Sequence, residues 1–229
     1  MCGRYNIIDD PLTRQLLLDL GVNMRLPTRY NIAPTETVPV VCETESGRAV
    51  HPMRWWLTPS WAREVDTRFS MFNARAENLE TSKAFKGPFR HRRGILPASG
   101  FIEWRLENGH KQPYWIHHPE QALALGGIWD VWERSDAFLE SCAIVTVDAP
   151  PGFRPLHSRM PLILPRTAWE VWLDPDAPPE DVRQCLKPVD LSGMVAVPVD
   201  RAINNSRNKD DRAIRPVGEP LYLPLTPSS

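Results

Sequence analysis

The stretch GILPASGFIEWRL, residues 94–106, contains the strongest sequence signal for the fold of this chain. It is rich in apolar residues, including Phe101 and Trp104, and is interrupted at Pro97 and Gly100, so it predicts two strands separated by a break. Three further apolar segments follow after short polar connections, at residues 112–118, 122–133 and 138–149. Strands in such close succession predict a mainly antiparallel sheet structure in this half of the chain.

Working outward from that stretch, the remaining segments predict shorter elements. Asp10, Pro11 and Gly21 bracket a short helix, with Asp10 as its cap and Gly21 at its end. Further strands are predicted at residues 37–43, 51–55, 160–165 and 194–200, and further helices at 73–85, 167–174 and 178–187. The 24 prolines among 229 residues favour such short elements over long helices.

These elements predict a β-rich α+β fold of mainly antiparallel strands with several short helices. The length suits one domain spanning residues 1–229, with a core of about 2–203 and a polar, proline-rich tail at 204–229. We expect this tail to be only loosely attached.

The composition restricts the classes of function. The net charge is −1, but the first 111 residues carry 16 basic and 12 acidic side chains, and the remainder carries 11 and 16. This distribution fits either a basic face for nucleic acid or scattered solvated charge. No segment is long and apolar enough to span a membrane, and the start lacks the apolar region of a secretory signal, so a cytoplasmic protein is expected.

The four cysteines, Cys2, Cys42, Cys142 and Cys185, form no CxxC pair, so no metal site is predicted. Cys42 and Cys142 lie in apolar runs and are expected to be buried thiols. Cys2 differs because it directly follows the initiator methionine. Loss of Met1 would leave an α-amine with a pKa of about 7.7–8.0 beside a thiol.

An amine and a thiol on adjacent carbons can convert an aldehyde into a five-membered thiazolidine ring. The same pair can instead act as nucleophile and base, as in N-terminal nucleophile hydrolases. A third interpretation is that Cys2 is an incidental residue of a frayed terminus.

Four stretches resemble one family in their order and spacing. They are MCGRYN (1–6), RYNIAPT (29–35), FNARAEN (72–78) with GFIEWR (100–105), and LHSRMPLIL (156–164). In these the chain is similar to the SOS-response-associated peptidases, also called abasic-site processing proteins. The resemblance implies covalent capture of abasic sites in single-stranded DNA, with no cofactor. It also implies removal of Met1, by the protein itself or by an aminopeptidase, and a thiazolidine between Cys2 and C1′ of the opened sugar.

The resemblance assigns catalytic roles to Cys2, Asn73, Glu103 and His157. Asn73 would hold the α-amine or the sugar, although an asparagine there also suits a turn or helix cap. Glu103 would be the general acid and base if it is buried, whereas strand alternation could equally direct it to solvent. His157 would stabilise the opened sugar, and the alternative is a structural histidine.

Contacts to DNA are assigned in the same way, mostly to phosphates. The set consists of Arg4, Asn31, Pro34, Trp61, Arg75, Trp104 and Arg159. The arginines suit phosphate binding or a solvated surface, and the aromatic rings suit base stacking that tolerates any sequence. The basic run FRHRRG (89–94) is a further candidate, whereas Trp55 and Trp56 are expected in the core.

Together these features favour a monomeric protein that binds single-stranded DNA and crosslinks to abasic sites, associating with the nucleoid when bound to DNA. Adduct reversal or lyase cleavage through a Schiff base is part of that expectation. A rival interpretation is a glutamine amidotransferase, which also begins with MCG. The Asn108-Gly109 pair, however, predicts a hairpin turn rather than an oxyanion loop. A non-covalent single-stranded DNA-binding protein is a second rival, and a protease acting on other proteins is a third that no protease motif supports.

Overall fold

The computed structural model describes residues 2–225, so the predicted removal of Met1 and the last residues of the predicted tail lie outside the described residues. The strands are β1 (Tyr5–Ile7), β2 (Arg29–Ile32), β3 (Thr37–Thr44), β4 (Gly47–Trp55), β5 (Asn73–Arg75), β6 (Arg93–Ala98), β7 (Gly100–Glu107), β8 (His110–His117), β9 (Leu123–Arg134), β10 (Ala137–Asp148), β11 (Arg159–Pro161), β12 (Val195–Pro198) and β13 (Leu221–Tyr222). The helices are α1 (Pro11–Asp19), α2 (Lys86–His91), α3 (Trp169–Leu173) and α4 (Pro179–Gln184). Short 3₁₀ turns lie at Ala76–Asn78, Arg166–Ala168, Arg201–Asn204 and Asp211–Ile214.

Two sheets form the structure. The first has the strand order β13-β12-β8-β7-β1-β2, and the second has the order β11-β10-β4-β3-β6-β9 with β5 added beside β10. Because β9 also pairs with β10, five strands of the second sheet close into a small barrel. Only β4 and β5 run parallel to β10 among these pairings, which confirms the predicted mainly antiparallel α+β fold.

The stretch 94–106 is where the chain passes from one sheet to the other. β6 lies in the barrel and β7 lies in the first sheet, and Ser99 is the single residue between them. Its hydroxyl accepts a hydrogen bond from the backbone amide of Ile8 at 2.8 Å. The break is therefore at Ser99, and Pro97 remains inside β6 opposite Ala124.

The structure confirms two local predictions, the capped helix α1 and the hairpin turn at Asn108-Gly109. Asp10 caps α1 by accepting from the Thr13 amide at 2.8 Å, and Gly21 follows the helix with φ of 80°. Asn108 and Gly109 have φ values of 48° and 78°, as the two-residue turn of the β7–β8 hairpin requires.

The predicted helix over residues 73–85 is wrong. Asn73, Ala74 and Arg75 instead form β5 and pair in parallel with β10, and the chain then makes a 3₁₀ turn and further turns before α2. The helix-favouring composition of this segment is a weak local preference. Its backbone hydrogen bonds to a buried strand outweigh that preference.

Apolar side chains pack into two clusters. The large one fills the space between the barrel and the first sheet and includes the fully buried Trp55, Phe101 and Trp172. The small one lies on the outer face of the first sheet, where Ile102 packs with Val199, Ile203 and Ala213, and Trp104 packs against them.

Residues 199–215, which we name the C-terminal strap, cover that outer face. Asn31 in β2 donates to the carbonyls of Asn205 and Asn208 at 3.0 Å each, and Lys209 donates to the Asn31 carbonyl at 2.8 Å. β13 then pairs with β12 at the edge of the sheet. The expected loose attachment of the tail is therefore wrong for residues 204–225. No helix of the described chain has the length and apolar character needed to cross a bilayer.

Candidate active site

The N-terminal segment runs beside β7. The register of β1 places Tyr5 opposite Phe101, and the Ile102 amide donates to the Arg4 carbonyl at 2.9 Å. In an antiparallel pair an earlier residue on one strand faces a later residue on the other, so this register brings Cys2 to the neighbourhood of Glu103.

The Cys2 side chain is fully buried, and its Sγ lies 3.9 Å from the carbonyl oxygen of Arg4. Burial raises the pKa of this thiol far above its ordinary value, and the nearby Glu103 carboxylate raises it further. Cys2 is therefore a neutral thiol at physiological pH, suited to adding to an electrophile while a neighbouring base accepts its proton.

Asn73 holds the backbone of Cys2. It begins β5, where pairing with Ile144 of β10 fixes its position, and its Nδ2 donates to the Cys2 carbonyl at 3.0 Å. The side chain is buried, and within residues 2–225 its Oδ1 has no hydrogen-bond donor. A buried acceptor of this kind can receive an N–H or O–H group from a ligand.

Glu103 points into the protein and not to solvent. Residues Phe101, Ile102 and Glu103 are all buried because β7 is covered on both faces at this end, and Glu103 is only 2 % exposed. Burial raises the pKa of the Glu103 carboxyl, and the opposing effect of His157 is smaller. A carboxyl with a raised pKa keeps its proton to a higher pH than an exposed carboxyl does, so it can serve as a general acid as well as a base.

His157 lies beside Glu103, with its Nε2 4.0 Å from Glu103 Oε2. Its Nδ1 is 3.0 Å from both the amide nitrogen and the carbonyl oxygen of Arg159. Nδ1 can thus accept from the amide when it is unprotonated and donate to the carbonyl when it carries a proton. The ring is partly exposed, so it can exchange protons between solvent and the buried carboxyl.

Arg4 and Arg75 are the accessible arginines of the predicted set. Arg4 donates through Nη1 to Asn31 Oδ1 at 2.7 Å and to the Ile203 carbonyl at 2.8 Å, and its guanidinium lies 5.9 Å from the ring centroid of Trp104. Arg75 is exposed at the end of β5. Both are placed to offer N–H groups to an anion.

Asn31 and Arg159 are buried instead of lying on an accessible surface. The Asn31 carboxamide is used by Arg4 and by the C-terminal strap. The Arg159 guanidinium bonds Glu77, Asp148 and the Thr146 carbonyl. Both side chains are thus engaged within the protein, and their contacts to DNA stay predictions.

The residues predicted to offer stacking surfaces lie in different parts of the molecule. Trp104 is half-buried beside the site, and its Nε1 donates to Asn204 Oδ1 at 2.7 Å. Trp61 is 50 % exposed in a separate groove, with the Lys83 ammonium 4.4 Å from its ring centroid. Pro34 lies in the turn after β2.

The structure encloses part of the basic run at residues 89–94, while Arg90 and His91 are exposed. Arg93 is buried and donates to backbone carbonyls of α2 and α3, including those of Phe89 and Trp172. Arg92 pairs with Asp130 at 2.6 Å. Cys42 and Cys142 are buried, and Trp55 lies in the core, as predicted.

Two residues in the site region escaped the sequence prediction. A cleft of about 370 Å³ is lined by Glu103, Trp104, Lys111, His157 and Asn204. Lys111 carries no sequence signal beyond its charge, and Asn204 lies in the segment predicted to be a tail. Within the described chain, no three His, Cys, Asp or Glu side chains are grouped so that they could hold a metal ion.

The fold and the site together define an α+β protein in which a buried second-position cysteine lies near the Asn73 amide and the Glu103 carboxyl, with His157 beside Glu103. The chain belongs to the SOS response associated peptidase (SRAP) family, whose family model matches residues 1–206. This confirms the family predicted from the four motifs.

Named relatives and solved structures agree with this assignment. The chain is 31 % identical over 215 residues to the abasic site processing protein YoaM of Bacillus subtilis, covering 91 % of this chain and 95 % of that protein. It is 30 % identical over 270 residues to the abasic site processing protein HMCES of Rattus norvegicus, covering 94 % and 76 %. A crystal structure of a Bacteroides thetaiotaomicron protein superimposes with a TM-score of 0.71 at 27 % identity, covering 80 % of this chain and 82 % of that one. A phage-related protein from Bordetella bronchiseptica gives 0.69 at 28 % identity, covering 86 % and 94 %.

Proposed function

We propose that this protein processes abasic sites in single-stranded DNA by covalent capture through Cys2. The observation that carries the proposal is the convergence of Cys2, Asn73 and Glu103 from three separate segments. Asn73 holds the Cys2 backbone at 3.0 Å, and the charge of Glu103 acts on the Cys2 thiol. The names of the two relatives support the same substrate class.

The chemistry requires loss of Met1, which frees the Cys2 α-amine. This amine attacks C1′ of the ring-opened deoxyribose to give a carbinolamine, and departure of one water gives an imine. The thiol then adds to the imine carbon, and its proton ends on the nitrogen, which closes a thiazolidine. Formation of the ring consumes the aldehyde, so strand cleavage from that aldehyde is suppressed.

Each neighbouring residue has a defined task in this sequence. Asn73 Oδ1, which has no donor among residues 2–225, accepts from the freed α-amine or from a sugar hydroxyl. Glu103, whose pKa burial raises, protonates the departing hydroxyl and later carries the thiol proton to the nitrogen. His157 exchanges protons between Glu103 and solvent through the pair at 4.0 Å.

DNA is held mainly through phosphates. Arg4 and Arg75 supply charged donors, with Arg4 oriented by Asn31 and the C-terminal strap. Trp104, Trp61 and Pro34 offer surfaces for stacking, which does not depend on base identity. Arg159 positions His157 through its backbone.

The same site would give three further activities. In the first, Glu103 assists autocatalytic hydrolysis of the peptide bond between Met1 and Cys2. Before the thiazolidine closes, the imine can also eliminate the 3′ phosphate, which gives lyase activity, and reopening of the ring reverses the crosslink.

The test is a denaturing gel of the purified protein with a single strand that bears one abasic site. Wild type should give a slow band that survives heat, whereas intact DNA and Cys2→Ala should give none. Cys2→Ser keeps the amine but not the thiol, so it should give a band only after borohydride reduction of the imine.

A heat-stable band from Cys2→Ala would contradict the mechanism. A lack of any band from wild type, with intact mass showing that Met1 is gone, would also overturn it. Glutamine hydrolysis would then be assayed for the amidotransferase alternative.

A further inference from the structure

The cleft beside Glu103 contains two hydrogen-bond donors that the capture chemistry does not use. Lys111, on β8, and Asn204, in the C-terminal strap, line it together with Trp104. Both residues are exposed. We name this part of the cleft the outer subsite, defined by Trp104, Lys111 and Asn204.

The orientation of the Asn204 amide follows from its partner. The Trp104 indole nitrogen can only donate, so the Asn204 atom 2.7 Å away must be the carbonyl oxygen. The Nδ2 group is therefore the free end of the amide. No acceptor among residues 2–225 contacts it, so both of its N–H groups remain available to a ligand.

The charge of the outer subsite is positive. Lys111 is an ammonium, and the Arg4 guanidinium lies 5.9 Å from the Trp104 ring on which the subsite is built. The carboxyl that lines the cleft is Glu103, whose side chain is buried, whereas Lys111 and Asn204 are exposed. A ligand that accepts hydrogen bonds and carries negative charge fits this arrangement.

We propose that Lys111 and Asn204 form a phosphate subsite for a nucleotide that flanks the abasic site. The inference rests on the proposed function, because it takes the strand that enters the cleft to be the DNA captured by Cys2. Lys111 contributes charge, and the Asn204 Nδ2 group contributes directed N–H donors. The C-terminal strap thus supplies a DNA contact as well as covering the sheet.

The test measures reversible binding of a single strand that contains a tetrahydrofuran abasic analogue, which has no aldehyde and cannot crosslink. Fluorescence anisotropy gives the affinity over a series of salt concentrations. Lys111→Ala should lower the slope of log affinity against log salt by about 0.7. The affinity should fall roughly fivefold at about 0.1 M salt and converge with wild type near about 1 M.

Matched variants separate charge from structure. Lys111→Arg should keep the wild-type slope, and Lys187→Ala, at an exposed lysine after α4 and outside the cleft, should also leave it unchanged. Asn204→Asp keeps an oxygen that can accept the hydrogen bond from Trp104. It replaces the Nδ2 donor with a negatively charged oxygen. The expected order of affinity is therefore wild type, then Asn204→Ala, then Asn204→Asp.

Two results would overturn the subsite. One is an unchanged salt slope in Lys111→Ala. The other is Asn204→Asp binding at least as well as Asn204→Ala, which would mean that Asn204 acts only by holding Trp104. The binding assay does not depend on covalent capture, because the analogue cannot crosslink. Failure of the proposed function would instead appear as a missing wild-type band on the denaturing gel, while binding of the analogue could still be measured.

Discussion

Glu103 illustrates how burial changes the chemical properties of one side chain. The residue alternates with apolar neighbours in a strand, a pattern that would ordinarily place a glutamate in solvent. In this fold the N-terminal segment and the barrel cover this end of β7, and the carboxyl is only 2 % exposed. Removal from water disfavours its charged form, and that energetic cost is what raises its pKa.

The raised pKa predicts a pH-dependent stability. Wild type loses stability as pH rises from the ordinary glutamate pKa through the raised value of the folded protein, because the buried carboxyl must ionise. Glu103→Gln has no carboxyl to ionise at this position, so its stability should not fall in this way. The free energy of unfolding of Glu103→Gln minus that of wild type should therefore be smallest at low pH and increase across that pH range. Each tenfold difference between the proton affinities of Glu103 in the folded and unfolded states corresponds to about 1.4 kcal/mol in the free energy of unfolding.

Urea denaturation of both proteins at several pH values from about 4 to about 8 would measure this difference. Glu107→Gln, on the same strand but more exposed, is the control for removal of a carboxyl from β7. A constant difference between wild type and Glu103→Gln at all pH values would contradict a raised pKa.

The same residue governs the rate of capture in the proposed mechanism. Glu103→Gln keeps the shape but cannot exchange a proton, so adduct formation should slow by about 10²–10⁴-fold. Single-turnover gels at saturating DNA would measure the rate. The affinity of Glu103→Gln for the tetrahydrofuran strand should remain within a few-fold of wild type. An equal loss of affinity and rate would contradict a role in proton transfer and indicate that Glu103 only helps to position the DNA.

At the scale of elements, the β6–β7 junction carries the chain between the two sheets. Gly100 begins β7 where the backbone passes close to β8, and an added Cβ would lie 2.3 Å from Trp115 Nε1 and 2.6 Å from the Ile116 carbonyl oxygen. The carbonyl belongs to the paired backbone, so it cannot move aside without disturbing the strand pairing.

Gly100→Ala should therefore lower the free energy of unfolding by about 2–4 kcal/mol. The matched control is Gly87→Ala in α2, where nothing lies within 4 Å of the added Cβ. Because Pro88 follows Gly87 and disfavours a helical residue with a Cβ before it, that control should change the free energy of unfolding by less than about 1 kcal/mol. Thermal and urea unfolding would measure both, and equal stabilities of the two variants would contradict the close approach at Gly100.

The segment 73–85 marks a limit of local prediction. Its alanine and charged residues favour a helix, yet its first three residues become β5 because β10 offers an unpaired edge beside them. This difference matters for the site, since only a strand at this position directs Asn73 to the Cys2 carbonyl.

At the scale of the whole molecule, the C-terminal strap links the end of the described chain to its start. Asn31 is the connecting residue, since its Oδ1 accepts from Arg4 and its Nδ2 donates to the carbonyls of Ile203, Asn205 and Asn208. Its φ of 53° lies in the left-handed region, where asparagine is better tolerated than most residues.

Substitution of Asn31 should separate amide and backbone effects. Asn31→Gly keeps the left-handed backbone but removes the amide, and should lower the free energy of unfolding by about 2–3 kcal/mol. Asn31→Ala should cost about 1 kcal/mol more because of the backbone conformation. Both should weaken DNA binding through Arg4.

Urea unfolding and anisotropy with the tetrahydrofuran strand would measure these two effects. Asn205→Ala, which removes a side chain from the strap but keeps the carbonyl that Asn31 uses, is the control. A wild-type stability of Asn31→Gly would contradict the linking role.

The sequence by itself determined the structural features that depend only on residues adjacent in the chain. The cap of α1, the Asn108-Gly109 hairpin and the apolar strands can all be predicted locally, because a few adjacent side chains settle the backbone conformation. Motif order identified the family and directed attention to Cys2, Asn73 and Glu103.

Only the tertiary structure decided which of these groups are buried and what they contact. Glu103 faces inward, Asn31 and Arg159 are enclosed, and the segment expected to be a tail supplies Asn204 to the cleft. Contacts such as that between Arg4 and Ile203 join distant parts of the chain. Burial, and therefore the pKa and the accessible donors of the site, arises from such distant contacts, which no local pattern encodes.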